Sequence, residues 1–145
     1  MPRLSSHFGL NDPRLQSIAF PLTQVATIPG DANQTLTPAQ VLSGFIIRGG
    51  SITAARTDTL PSAAALCEAI QGVMVNTSFE LPIRNAATGA FAITLAAGPG
   101  GTMFDPAGAL RQIAQSTTKF FQVVFNNVTV GQEAYTVYSL GGGTT

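Results

Sequence analysis

The stretch Phe79–Ala97, FELPIRNAATGAFAITLAA, decides how the fold of this 145-residue chain is interpreted. Apolar residues alternate with other residues over 79–84 and again over 91–96, and period-two alternation is typical of strands with one buried face. The break at 85–89 is polar and has turn-forming residues at both ends. The sequence therefore predicts a β-hairpin with a loop of about five residues, whose apolar positions share one face and start a core.

The same alternation recurs near the C-terminus and extends the prediction to the whole domain. Residues 118–125 form a strand with an apolar side chain on both faces, and 135–140 form the last strand. Several short strands separated by turn clusters predict a mainly β protein, an antiparallel β-sandwich or jelly-roll-like domain. Nine side chains are expected in its core: Phe79, Leu81, Ile83, Phe91, Ile93, Leu95, Phe121, Val123 and Phe125.

One short helix is expected among the strands. Residues 61–71 are rich in alanine, with Pro61 at the start and Gly72 after the end. Cys67 lies on the apolar stripe of this helix, which favours a small buried hydrophobe over a nucleophile. A capping-box pattern at 37–40 predicts a further helical turn, and 109–114 fits either a strand or a helix.

Residues 1–36 differ from the β-rich domain that we assign to 37–145. Four prolines interrupt the segment, and its apolar residues follow no sustained period. Disordered tails are usually low in hydrophobicity, so an extended N-terminal arm that lies on another surface is favoured over a disordered tail. The residues expected to contact another surface or subunit are Leu4, Phe8, Leu15, Ile18, Phe20 and Leu22 of the arm, and Phe120 and Val124 of the two-faced strand.

Low charge is the main compositional feature. Charged residues make up 10% of the chain, seven basic against seven acidic, where about 25% is typical of soluble domains. Two explanations fit this composition: uncharged polar residues hydrate the surface, or much of the surface is buried against partners. We favour the second. Only one lysine is present, which argues against binding to nucleic acid. No apolar run is long enough to span a membrane, and the first residues do not resemble a signal peptide.

The residue types that carry chemistry are sparse. The chain has one histidine, His7 in the arm, and one cysteine, so neither a catalytic triad nor a zinc site is expected. The glycine-rich run 98–102 lacks the lysine of a phosphate loop. Six carboxylates are interpreted as turn, cap or surface residues: Asp31, Asp58, Asp105, Glu68, Glu80 and Glu133. We therefore expect no catalytic residue, no cofactor, no metal and no enzymatic activity.

Five motifs occur in order along the last two thirds of the chain: GFIIR at 44–48, TDTLPSA at 57–63, SFELPIRN at 78–85, FAITLAAG at 91–98 and YTVYSLG at 135–141. On these motifs the chain, from Phe45 to Leu140, resembles a family of small tailed-bacteriophage virion proteins, the capsid decoration or cement proteins. The irregular sequence at 99–114 departs from the pattern of the family.

The resemblance implies a β-rich homotrimer on the outer surface of the virion, made in the host cytoplasm. Such a protein binds the major capsid protein from outside and stabilises the head. The alternative is a head-fibre or tail adhesion module that binds a host surface.

Overall fold

The computed structural model describes residues 24–105 and 108–144, and in this part of the chain there are ten strands and three helices. The strands are β1 (Gln24–Ile28), β2 (Gln34–Thr35), β3 (Gly44–Arg48), β4 (Arg56–Thr59), β5 (Ser78–Asn85), β6 (Ile93–Ala96), β7 (Gly101–Met103), β8 (Gln112–Ile113), β9 (Thr117–Asn127) and β10 (Ala134–Thr144). The helices are α1 (Pro38–Val41), α2 (Ala63–Ala69) and α3 (Gly108–Arg111). The mainly β fold is confirmed, but the expectation of one helix was wrong.

Two mixed sheets contain these strands. The six-stranded sheet has the order β1-β3-β5-β9-β10-β7, and the four-stranded sheet has the order β2-β4-β6-β8. The chain changes sheet after each strand from β1 to β8, and among the described strands only β9 and β10 are consecutive strands of one sheet. Strands β1, β3 and β5 run parallel to one another, and so do β2, β4 and β6. The pairs β5–β9, β6–β8 and β9–β10 are antiparallel. The prediction of purely antiparallel sheets was therefore wrong.

The predicted hairpin at 79–97 does not exist, because its two strands lie in different sheets. Strand β5 pairs with β3 and β9, whereas β6 pairs with β4 and β8. Asn85, which was interpreted as a turn residue, is fully buried where the chain leaves β5. Its side-chain amide donates to the carbonyls of Phe91 and Ile113, both at 2.9 Å, and its oxygen accepts from the Ala87 amide at 3.2 Å. These bonds stabilise a crossing between sheets.

One hydrophobic cluster contains residues of both sheets and of α2. Seven of the nine predicted core residues are buried in it: Leu81, Ile83, Ile93, Leu95, Phe121, Val123 and Phe125. Phe79 is partly buried against the cluster. Phe91 is 38% exposed, so its prediction was wrong. It precedes β6 in the connection between the sheets, where strand alternation does not yet apply.

The capping-box turn and the helix expected near 61–71 are both present, but Pro61 is not the first helical residue. Thr37 and Gln40 form the reciprocal capping box, with bonds of 2.8 and 3.2 Å. Helix α2 is shorter than the predicted 61–71, and Ser62 caps it by accepting from the Ala65 amide at 3.2 Å. Residues 108–113 contain the short helix α3 followed by β8, so both alternatives for 109–114 occur in turn.

The region assigned to the arm is divided. Residues 24–28 and 34–35 are the strands β1 and β2, which belong to the two sheets, and Leu36 is buried. Residues 1–23 lie outside the described residues, as do the expected contact residues Leu4, Phe8, Leu15, Ile18, Phe20 and Leu22. An extended arm over 1–23 stays a prediction.

Candidate interaction surface

Strand β9 has two different faces, as its sequence predicts. Phe121, Val123 and Phe125 are 0% exposed and point into the core. Phe120 on the opposite face is 42% exposed, and Val124 on the same face is partly buried. Because side chains alternate along a strand, these two expected contact residues share the side of the sheet that faces away from the core.

The strand register identifies the neighbours of these residues. Pro82 lies opposite Phe120, and Thr136 lies opposite Val124. Near the β1 edge, Val25 lies opposite Phe45 and is 54% exposed. We call the resulting surface the outer apolar face; it comprises Val25, Phe45, Pro82, Phe104, Phe120, Val124 and Tyr138.

An aromatic pair extends the outer apolar face beyond β10. The Phe104 amide donates to the Val137 carbonyl, which aligns Phe104 with the next residue, Tyr138. The two ring centroids are 4.8 Å apart, and Phe104 remains 61% exposed. Leu140, at the irregularity in the β9–β10 pairing, is also exposed.

Charge is sparse on this surface. The strand register and the alternation of side chains show which described residues lie on this face. Of these, Glu80 and Arg84 carry a charge. Arg84 also takes part in other interactions within the chain. Burying ions is costly, whereas burying apolar side chains is favourable. The outer apolar face therefore has the composition expected at the centre of a subunit interface.

A buried ion pair is the main feature that the sequence did not predict. Arg48 is 0% exposed and donates through Nε to Asp58 Oδ2 at 2.9 Å. Its terminal nitrogens bind the carbonyls of Ile28, Gly30 and Ala32. Burial raises the pKa of the Asp58 carboxyl, and the positive charge of Arg48 opposes that rise.

The buried pair is structural. The Arg48 guanidinium already binds four acceptors in the described residues and joins both sheets to the β1–β2 connection. The interpretation of Asp58 as a turn, cap or surface residue was wrong. The sequence does contain one signal for the burial of Arg48. Arg48 lies two residues after the buried Ile46 in β3, and side chains two residues apart in a strand share a face.

A second ion pair, at the protein surface, joins the β1–β2 connection to strand β4. Arg56 contacts Asp31 Oδ1 at 2.6 Å, and the Thr53 amide donates to the same oxygen at 3.1 Å. The hydrogen bonds from Thr53 and Arg56 lower the pKa of Asp31 to about 2. Asp31 is therefore ionised across the neutral range.

A mostly apolar groove of about 350 Å³ lies between α2 and the β9–β10 loop. It is lined by Ala64, Cys67, Glu68, Val73, Val128, Val130 and Glu133. Burial and the negative charge of Glu133 raise the pKa of the Cys67 thiol. The thiolate is therefore disfavoured, and this site does not suit a cysteine nucleophile.

Residues 24–105 and 108–144 contain no cluster of three or more His, Cys, Asp or Glu residues that could hold a metal ion. No helix in that part of the chain is long and apolar enough to cross a membrane. Comparison of the chain with protein-family models, with curated proteins and with solved structures gave no match.

Proposed function

We propose that this chain is a structural virion protein, a capsid decoration or cement protein that binds the outer face of a tailed-phage head and stabilises it. The observation that carries the proposal is the outer apolar face, where Phe120 is 42% exposed at the middle of the larger sheet. The low charge of the chain and the resemblance of residues 45–140 to the decoration proteins support it.

The finer architecture belongs to the same proposal. The two sheets pack as a sandwich with a jelly-roll-like path, supported by the single hydrophobic cluster that contains residues of both. Three copies associate through their outer apolar faces, with Phe120 and Val124 at the contacts. The trimer binds the major capsid protein on the outside of the virion after synthesis in the host cytoplasm.

The protein acts by binding alone, and catalysis, cofactors, nucleic acid and membranes take no part. A ligand that binds only the assembled lattice stabilises it by about 2.7 kcal/mol per site at a hundredfold excess over Kd. Summed over the many equivalent sites of a capsid, this free energy resists the internal pressure of packaged DNA. The temperature at which filled capsids rupture should therefore rise on decoration.

The test uses Phe120→Ser and a matched control, Leu110→Ser. Leu110 is 45% exposed, close to the value for Phe120, but lies on α3, which packs near β6 and β10. The full chain and both variants are mixed with undecorated capsids of the virus that encodes the protein. We expect the wild type and Leu110→Ser to co-sediment with capsids and raise their rupture temperature, and Phe120→Ser to lose both effects.

Two outcomes would contradict the proposal. One is a wild-type chain that neither sediments with capsids nor changes their rupture temperature. The other is binding of the same chain to host cells in place of capsids, which supports the alternative of a head-fibre or tail adhesion module.

A further inference from the structure

The groove between α2 and the β9–β10 loop combines an apolar floor with two acidic groups. Val73, Val128 and Val130 supply the apolar lining, and Glu68 and Glu133 supply the carboxylates. Val130 is 91% exposed at the rim. An occupant that suits this groove carries an apolar side chain next to a cation.

The basic residues of the described part of the chain are already engaged. Arg48 and Arg56 are in ion pairs, and Lys119 donates to the carbonyls of Ala109 and Gln112. Arg84 and Arg111 also take part in interactions. The two remaining basic residues of the chain are Arg3 and Arg14, and each is followed by a leucine.

The topology places the start of β1 at the end of the sheet that carries the groove. Strand β1 is parallel to β3 and β5, and β9 is antiparallel to β5. The first residue of β1, Gln24, therefore lies toward the same end of the sheet as the β9–β10 loop. Residues 1–23 join the sheet at that end.

Length distinguishes the two Arg-Leu pairs. Three strand spacings and about seven residues along β9 separate Gln24 from Val128, which amounts to about 28 Å. Nine residues from Leu15 to Gln24 reach about 30 Å only when fully extended, whereas the twenty from Leu4 reach about 66 Å. Only Arg3-Leu4 can therefore reach the groove without a fully extended chain.

We infer that in the free protein Arg3 and Leu4 bind in the groove of their own chain, with Leu4 against the valines and Arg3 beside Glu68 and Glu133. The groove is thus a docking site for the N-terminal segment. This binding belongs to the isolated protein and does not depend on whether capsids are its target.

Cys67 provides a direct test, because it is the only cysteine and lines the groove. The full chain is prepared with Leu4→Cys, Leu15→Cys or Leu22→Cys and oxidised in a glutathione buffer. We expect an intramolecular disulfide between residue 4 and Cys67 to form at least about tenfold faster than in the other two variants, because docking raises the effective concentration of the thiols. Leu22→Cys is the control, because residue 22 is only two residues from β1 and cannot reach Cys67.

Charge reversal supplies the second measurement. In the Leu4→Cys chain, Arg3→Glu or Glu68→Lys should each slow the disulfide at least about threefold, and the two together should restore the rate. With Cys67 alone, Arg3→Glu should increase its rate of reaction with the neutral reagent N-ethylmaleimide, whereas Arg14→Glu should not.

Three results would overturn the inference. The first is equal disulfide rates for Leu4→Cys and Leu22→Cys. The second is a fastest rate for Leu15→Cys, which would assign the groove to Arg14-Leu15. The third is a disulfide that links two chains in place of one, which would assign it to a second copy.

Discussion

The inner and outer faces of the six-stranded sheet have similar side chains but different surroundings. Phe121 and Phe120 are consecutive residues of β9, yet the first is 0% exposed and the second is 42% exposed. The inner face packs into the hydrophobic cluster, whereas the outer apolar face has no comparable cover among the described residues. Apolar side chains therefore contribute to folding on one face and are available for association on the other.

The largest expected effect is at the inner face. Phe121→Ala should lower the free energy of unfolding by about 3–5 kcal/mol, because it deletes a fully buried aromatic side chain. Urea denaturation followed by circular dichroism measures the loss. Phe120→Ala is the matched control and should change stability by less than about 1 kcal/mol; equal losses would remove the distinction between the faces.

Breaking the buried Arg48–Asp58 ion pair should lower the free energy of unfolding by a similar amount. Arg48→Met leaves the Asp58 carboxylate buried without its partner and should cost about 3–5 kcal/mol. Arg56→Met, at the exposed pair, should cost less. Adding Asp58→Leu to Arg48→Met should recover part of the stability, because neither charge then stays buried. A double variant no more stable than Arg48→Met would contradict this account.

A smaller loss is expected at the crossing between the sheets. Asn85→Ala leaves the carbonyls of Phe91 and Ile113 without their donor and should cost about 1–3 kcal/mol in the same denaturation experiment. Asn126→Ala removes an exposed amide and serves as the control. If the two variants are equally stable, the Asn85 bonds do not stabilise the crossing.

The smallest change in stability is expected at the solvent-exposed ion pair of Asp31 and Arg56, and this change depends on pH. The pKa of Asp31 falls from its ordinary 3.8 to about 2 in the folded protein. The folded state therefore keeps this carboxylate ionised more readily, and its stabilising contribution is present above pH 4 and lost between about pH 4 and 2. The difference in thermal midpoint between wild type and Asp31→Asn should shrink across that window. A difference that stays constant from pH 6 to 2 would contradict the assignment.

The sequence predicted which residues lie on each face better than it predicted their strand partners. Alternation in β9 correctly separated Phe121 from Phe120 because it depends only on neighbours along the chain. The hairpin at 79–97 was wrong because pairing depends on distant residues. Strands β5 and β6 alternate just as hairpin strands do, and nothing local distinguishes a turn within one sheet from a crossing between two.

Buried polar residues were the other source of error. Asn85, Arg48 and Asp58 belong to residue types that usually lie at the surface. Their burial becomes favourable only when the fold brings the partners together, across 10 residues for Arg48 and Asp58 and 28 for Asn85 and Ile113. The capping box of α1, by contrast, was predictable from sequence, whereas the Ser62 cap of α2 was not, because Pro61 suggested an earlier start of that helix.

The most direct test of the outer apolar face is sedimentation velocity of the full chain, Phe120→Ser and Leu110→Ser at micromolar concentration. The account predicts a trimer for the wild type and for Leu110→Ser, and a monomer with an unchanged circular dichroism spectrum for Phe120→Ser. A monomeric wild type, or a Phe120→Ser variant that remains a trimer, would contradict the claim that this face joins the subunits.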